Sequence, residues 1–438
     1  MASAETTAAV RDGAAIGSPV SWKSDEMKRQ RTARYAADRR LQVYGMIAIA
    51  FAIGFLAILV GTLVYTGSSA FTQTMVKIDL DLSKAEFDRS KPMEANWRSI
   101  FREAALAELG EELPRAADRD YFSMYTSSAP FLIRDQAIAD PTLLEGPATF
   151  VVPVSDPVDQ LAKGLVQTDL PQSQRRVNDR QIEYYNALKT NGAISQPFNW
   201  GLFFNSDSRF PELAGLAGAI SGSFWLLLVC FLISFPVGIA AAIYLEEFAP
   251  KNRLTDLIEI NINNLAAVPS VVFGLLGLAV FLGWFGLPRS APLVGGMVLA
   301  LMTLPTIIIV TRAALTSVPS SIREAALGIG ASKHEMIFHH VLPLAMPSIM
   351  TGTIIGLAQA LGETAPLLLI GMNAFITSPP EGVLEASTAL PTQIYIWADS
   401  PERGFVARTS AAILVLLGFL VLMNGIAIFL RQRFERRW

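Results

Sequence analysis

Six apolar stretches dominate this 438-residue chain: Val43–Tyr65, Leu213–Leu245, Ile260–Trp284, Leu293–Val310, Ser348–Met372 and Ala407–Leu430. A helix needs about 17–25 apolar residues to cross a bilayer core. Lipid offers backbone groups no hydrogen bonds, so such stretches must satisfy their own as helices. Pro236, Pro269, Pro305 and Pro366 are compatible with this, because neighbouring helices re-satisfy backbone groups freed inside a membrane bundle. Only 17% of the residues are charged, against about 25% in soluble domains. The reading is an all-α polytopic membrane protein with six transmembrane helices.

The first stretch begins too far along and runs too long for a cleaved leader, and it lacks a small-residue exit. The single cysteine, Cys230, falls within the second stretch and leaves no disulfide within the chain. Lys28, Arg29, Arg31, Arg34, Arg39 and Arg40 precede the first span, and Arg431, Arg433, Arg436 and Arg437 follow the last. Basic residues beside span ends stay inside, so both termini are expected in the cytoplasm. The loop at 246–259 should then also be inside, although it carries Glu246, Glu247, Asp256 and Glu259.

These boundaries divide the chain into a flexible cytoplasmic arm (1–41), a first span (42–66), a periplasmic domain (67–212), a five-helix core (213–430) and a cytoplasmic tail (431–438). The 67–212 insert has a net charge of −6 and is varied in composition. A helix-like run at Ala95–Leu113 and strand-like runs at Phe150–Pro153 and Trp200–Phe204 predict a small α+β domain without a catalytic constellation.

The longest inward loop of the core contains REAALGIGASKHEMIFHHVLP, Arg323 to Pro343. Ser321, with Glu324 three residues on, predicts a capped helix ended by Gly328 and Gly330; Ser332 and Glu335 predict a second, running through His340 and stopped at Leu342-Pro343. Small side chains at Ala325 and Ala326 suit entry into a groove on another protein, with Arg323 and Glu324 orienting the helix there. Spacing alone equally suits an amphipathic loop lying on the membrane. Glu324-Ala325-Ala326, Gly330 and Leu342-Pro343 resemble the EAA loop of ABC importer permeases, E-A-A-x(3)-G-x(9)-I-x-L-P, with His340 in the place of Ile. The resemblance implies that the loop, 320–343, couples to a cytoplasmic ATPase.

Further stretches resemble the A-type permease of phosphate ABC importers (PstA): residues 221–250, AAVPSVVFGLLGL at 266–278, GETAPLLL at 362–369 and LPTQIYIWADSP at 390–401. This resemblance covers about 213–438. It implies a type I ABC importer (MetI-like) core with the α+β domain inserted outside the cytoplasm. It also implies a companion C-type permease, a dimer of ATPase subunits using ATP and Mg, and a periplasmic phosphate-binding protein. The place would be the bacterial inner membrane, the substrate inorganic phosphate, and no cofactor or nucleic acid would be bound by this chain. The insert departs from the compact form of that family. Alternatives are a permease for molybdate or sulfate, or a membrane phosphate sensor or scaffold.

Translocation-pathway candidates are Arg312, Gln359, Glu363, Thr364 and Thr306. Arg312 lies near the inward end of its span, either as a snorkelling anchor or as a cation met by an oxyanion. Counting 1.5 Å per residue from Ser348, Glu363 lies about 22 Å into a core of about 30 Å. A carboxylate there costs about 2.5 kcal/mol or more, so it needs a partner, expected on the companion permease, and a gating or ligand-holding role is favoured over contact with phosphate. Gln359, one turn earlier, stands about where some relatives have arginine. Thr303, Thr306 and Thr311 supply hydroxyls that bond either substrate or their own backbone carbonyls. No G-x-x-x-x-G-K-[ST] is present, so no P-loop is expected. His334 and His339 are about 140° apart around a helix, which argues against a metal site.

Overall fold

The computed structural model describes residues 25–84, 87, 91–109 and 115–434. These form two units, one ending at Thr62 and one beginning at Leu63. The first is a single helix, α1 (Asp25–Gly67), whose last turn belongs to the second unit. It has no interior Pro, and good helix formers (Arg, Ala, Lys, Gln) fill its first half. Residues 25–41 are therefore helical and continue the apolar stretch, contrary to the flexible arm expected of 1–41; residues 1–24 lie outside the described residues.

The second unit opens with the insert. In order come β1 (Met75–Asp81), α2 (Trp97–Leu109), α3 (Arg115–Phe122), α4 (Ala129–Ala139), β2 (Pro147–Pro153), α5 (Asp156–Ala162), α6 (Asp179–Thr190), β3 (Ile194–Ser195) and α7 (Gly201–Phe204). The strands form an antiparallel sheet in the order β2-β1-β3, with Met75 opposite Pro153 and Ser195. Alternation along β1 and β2 sends Val76, Ile78, Leu80, Phe150 and Val152 into a core shared with Trp97, Phe101, Tyr121 and Tyr125. The insert is thus α+β. Trp200–Phe204, expected as strand, is a single helical turn: its backbone donors bond Asn199 and Trp200 carbonyls rather than a neighbouring strand.

The membrane part follows: α8 (Ala217–Ile243), α9 (Arg253–Ala266), α10 (Ser270–Leu276), α11 (Pro292–Thr316), α12 (Ser320–Gly328), α13 (Lys333–Glu335), α14 (Leu342–Gly362), α15 (Ala365–Leu369), α16 (Leu390–Ala398) and α17 (Gly404–Phe434). Among the described residues five helices are long and apolar enough to cross a membrane, or six if one bent pair counts as a span. That pair is the expected span Ile260–Trp284. It breaks instead, turning by 103° between α9 and the helix that runs from Ser270 to Trp284. Pro269 lacks an N–H and disfavours helix in the residue before it, and the Asn-rich α9 keeps an exposed polar face.

Two further expectations change. Ser348–Met372 is not one span: a continuous helix runs from Lys333 to Gly362 and stops before Glu363. Leu342-Pro343 does not end a short helix, because a π-turn over Met336–Val341 absorbs the proline and carries the chain into α14.

Helices α8 and α11 pack where glycines let backbones approach. A Cβ on Gly296 would press on Val229, and one on Gly238 would press on Ile307. On the other side of α11, Gly352 of α14 faces Val310 with no room for a side chain.

The insert is tied to the start of α17 by charge. Arg408, buried, donates to the Ala214 carbonyl and lies in the field of Asp159, Glu212 and Asp156. Lys163 pairs with Asp159 at 2.5 Å, and Arg176 pairs with Glu402 at 3.1 Å. Gly404 sits against the Asp156 carboxylate so closely that no side chain would fit. Burial pushes the carboxyls of Asp156 and Glu212 above their usual range and the Lys163 ammonium below its own. A carboxyl raised in the folded state contributes stability below its unfolded value and loses it as pH rises through the folded value. Glu212→Gln, which fixes the neutral form, should therefore raise the melting temperature relative to wild type at pH 7.5. The gain should shrink as pH falls toward 4, read by thermal unfolding of the detergent-solubilised chain.

Candidate functional site

The loop between α11 and α14 is built from local backbone chemistry outward. Pro319, not Ser321, precedes the first turn of α12, and the expected Ser321–Glu324 capping box is not formed. Proline at that position presets the turn, which leaves the Glu324 side chain exposed to solvent. The helix ends in a Schellman motif: Gly330 N–H bonds Leu327 O at 3.0 Å and Ala331 N–H bonds Ala326 O at 3.1 Å. Gly330 has φ +93°, a left-handed conformation that favours glycine. Beyond it, Ser332 and Glu335 make the anticipated reciprocal cap.

The two alanines are divided. Ala326 is 4% exposed and packs among Leu315, Met336, Ile337 and Val341, whereas Ala325 faces outward. Glu324, Ala325 and Leu327 make up the open face of α12, continued by Ile329 at its C-cap, which is 84% exposed. Of the two alanines expected to enter a groove on another protein, one is exposed and the other seats the helix on its own chain.

Behind that face lies a set of ion pairs that sequence reasoning treated only as an awkward acidic loop. Arg323 donates to Glu247 at 2.9 Å and to the carbonyls of Val318 and Leu315 at 2.7 and 2.8 Å. Its guanidinium is thereby fixed to this chain. Arg312 is held by Glu246 at 3.3 Å and by Glu259 at 2.8 Å, which bolts α11 to the end of α8 and to α9. Glu246 and Glu247 are adjacent in the π-turn Tyr244–Phe248 and, as neighbours on a helical backbone, point apart to different arginines. The signal available in the sequence was the coincidence of Glu246, Glu247 and Glu259 with two arginines on the next elements.

The pathway candidates gather elsewhere. Gln359 is exposed on α14, and Glu363 and Thr364 form the non-helical link between α14 and α15. Glu363 is half-buried, and among the described residues its carboxylate has no hydrogen bond or ion pair. Arg312, engaged by its two glutamates, does not join this group. Thr306 is half-buried on α11; Thr303 bonds back to Ala300 O at 3.3 Å, and the Thr311 hydroxyl is buried without a partner. His334 packs on the Phe338 ring at 4.4 Å. Among the described residues no group of three or more His, Cys, Asp or Glu could hold a metal ion.

Residues 234–438 match the family described as binding-protein-dependent transport system inner membrane component. The phosphate transport system permease PstA 2 of Mycobacterium bovis is 34% identical over 246 residues, which is 55% of this chain and 79% of that protein. The chain belongs to the binding-protein-dependent ABC transporter permeases.

A probable ABC transporter permease of Bacillus subtilis, YqgI, is 30% identical to this permease over 46% of the chain and 73% of its own length. Residues 28–172 match a separate domain family of unknown function, DUF3333. A solved structure of the MetNI methionine ABC transporter aligns with TM-score 0.40 and 17% identity, over 50% of this chain and 97% of that one.

Glu247→Ala in this permease should leave Arg323 without its partner and cost about 3 kcal/mol, the scale for breaking a buried pair. A double-mutant cycle with Arg323→Ala, in which the two losses are less than additive, checks that the loss comes from the pair, measured by denaturant unfolding in detergent.

Proposed function

We propose that this permease is half of the translocation path of an ATP-driven importer of inorganic phosphate. The observation that carries the coupling half of the reading is the α12 face of Glu324, Ala325, Leu327 and Ile329, exposed in front and fixed from behind by Arg323 and Glu247. A mobile surface loop would dissipate a push. A helix seated by Ala326 and pinned by an ion pair to the end of α8 transmits one. The EAA loop receives a cytoplasmic ATPase, which hydrolyses ATP; this chain performs no covalent chemistry. Both termini are cytoplasmic, the 67–212 domain is periplasmic, and the assembly resides in the bacterial inner membrane.

Relatives that are phosphate transport permeases, such as PstA 2 of Mycobacterium bovis, support phosphate as the substrate. A companion C-type permease supplies the other half of the path, and a periplasmic binding protein delivers the ion. Gln359, Glu363, Thr364 and Thr306 contribute to the pathway from this side. A carboxylate without a partner at membrane depth is costly, so Glu363 meets its cationic partner on the companion. Arg312, bound by two carboxylates, serves as a structural bolt in this reading rather than as an oxyanion ligand.

A strain lacking the chain should lose high-affinity uptake of radiolabelled phosphate, and excess sulfate or molybdate should not compete with uptake in the wild type. A normal rate in the deletion strain, or full competition, would remove the substrate assignment. Glu324→Lys should abolish co-purification of the ATPase and reduce uptake at least tenfold while leaving the permease in the membrane. Retained ATPase binding would remove the coupling assignment and leave a sensor or scaffold as the better account.

A further inference from the structure

An aromatic cluster at the foot of the insert belongs neither to its core nor to the loop. Phe71, Phe198, Trp200, Phe203 and Phe204 form one run of ring contacts: Phe198–Trp200 at 4.9 Å, Phe71–Phe198 at 6.3 Å, Phe198–Phe203 at 6.2 Å and Trp200–Phe204 at 6.2 Å. Yet Trp200 is 63% exposed and Phe204 72% exposed, with Phe198 also open. Large apolar patches on a protein surface mark a partner.

The backbone sets the height of this cluster. Asn199 N–H bonds Phe71 O at 2.8 Å, only four residues after the end of α1 at Gly67. Leu216 N–H bonds Leu202 O at 2.8 Å and Ala217 N–H bonds Asn205 O at 3.0 Å, so α7 is stitched to the first turn of α8. Thr66 donates to Ser410 at 2.8 Å, which brings the beginning of α17 to the same level. Three membrane-crossing helices therefore terminate beside these rings. Hydrocarbon gives way to headgroups where spans end, and there amphipathic aromatics such as Trp are favoured.

We propose that the Phe198–Phe204 face of the insert is a lipid-interface anchor, lying in the headgroup–acyl boundary of the bilayer on the insert side. Lipid is favoured over a protein partner because the rings lie level with the span ends rather than at the far side of the insert. In that position they hold the insert by its foot and fix its orientation over the spans independently of any soluble partner.

The test uses the chain in its full transporter complex in phosphatidylethanolamine–phosphatidylglycerol nanodiscs. Nitroxide labels are attached through Phe204→Cys or Trp200→Cys, both surface positions; the native Cys230 is buried and the unsubstituted chain serves as the labelling blank. Met93→Cys, at another exposed position of the insert, supplies the water-facing reference. Relaxation enhancement by oxygen relative to a water-soluble nickel chelate should be several-fold higher at positions 200 and 204 than at 93. A ratio equal to that at position 93 would overturn the proposal in favour of a free aqueous surface. Exclusion of both reagents would overturn it in favour of a protein contact.

Discussion

The membrane half of this permease depends on two arginines answered by three glutamates. Arg312 and Arg323 emerge from α11 and α12 and are met by Glu246, Glu247 and Glu259 from the end of α8 and from α9. Charges so close to hydrocarbon are expensive when single, so the bonds must be made together or the local fold fails. Because each arginine reaches across to another element, the pairing also decides where α12 stands. The loop helix has little apolar area of its own to hold it: Ala326 and Ile322 are its inward contacts, and its outer face is open.

Much of the architecture was legible. Helical spans followed from apolar length, the α+β character of the insert from its mixed patterning, and the Ser332 cap from two residues at the right spacing. The failures have identifiable causes. Pro269 and Pro343 look alike in sequence, yet one terminates a helix and the other is absorbed by a π-turn. Which outcome holds depends on neighbours that supply alternative hydrogen bonds, and local sequence does not encode them. Trp200–Phe204 looks like strand by residue type, but its donors close a turn instead of joining the sheet. The acidic loop was read against a topology rule that gives little weight to Asp and Glu, and so its role as counter-charge went unseen.

The site was legible only in outline. Glu324, Ala325 and Gly330 could be singled out by their resemblance to the EAA loop, but the inward turn of Ala326 and the capture of Arg323 by its own chain could not. Both follow from helical phase, since residues 323 and 326 lie one turn apart on the face toward Glu247 and Met336. Glu363 was expected inside a span; it stands instead in the unwound link after Gly362, its N–H bonded to Ala360 O at 3.2 Å.

The uninterrupted run from Lys333 to Gly362 has a mechanical corollary. At 1.5 Å per residue its 30 residues make a rod of about 45 Å. On one side α12 joins this rod through the hydrogen-bonded turn at Gly330 and rests on it through Ala326; on the other it is held by the Arg323–Glu247 pair to the end of α8. The short helix thus has two firm connections, one to the end of α8 and one to the base of the rod, beyond whose far tip lies Glu363. The seat of α12 and the link that holds Glu363 are therefore opposite ends of one stiff element.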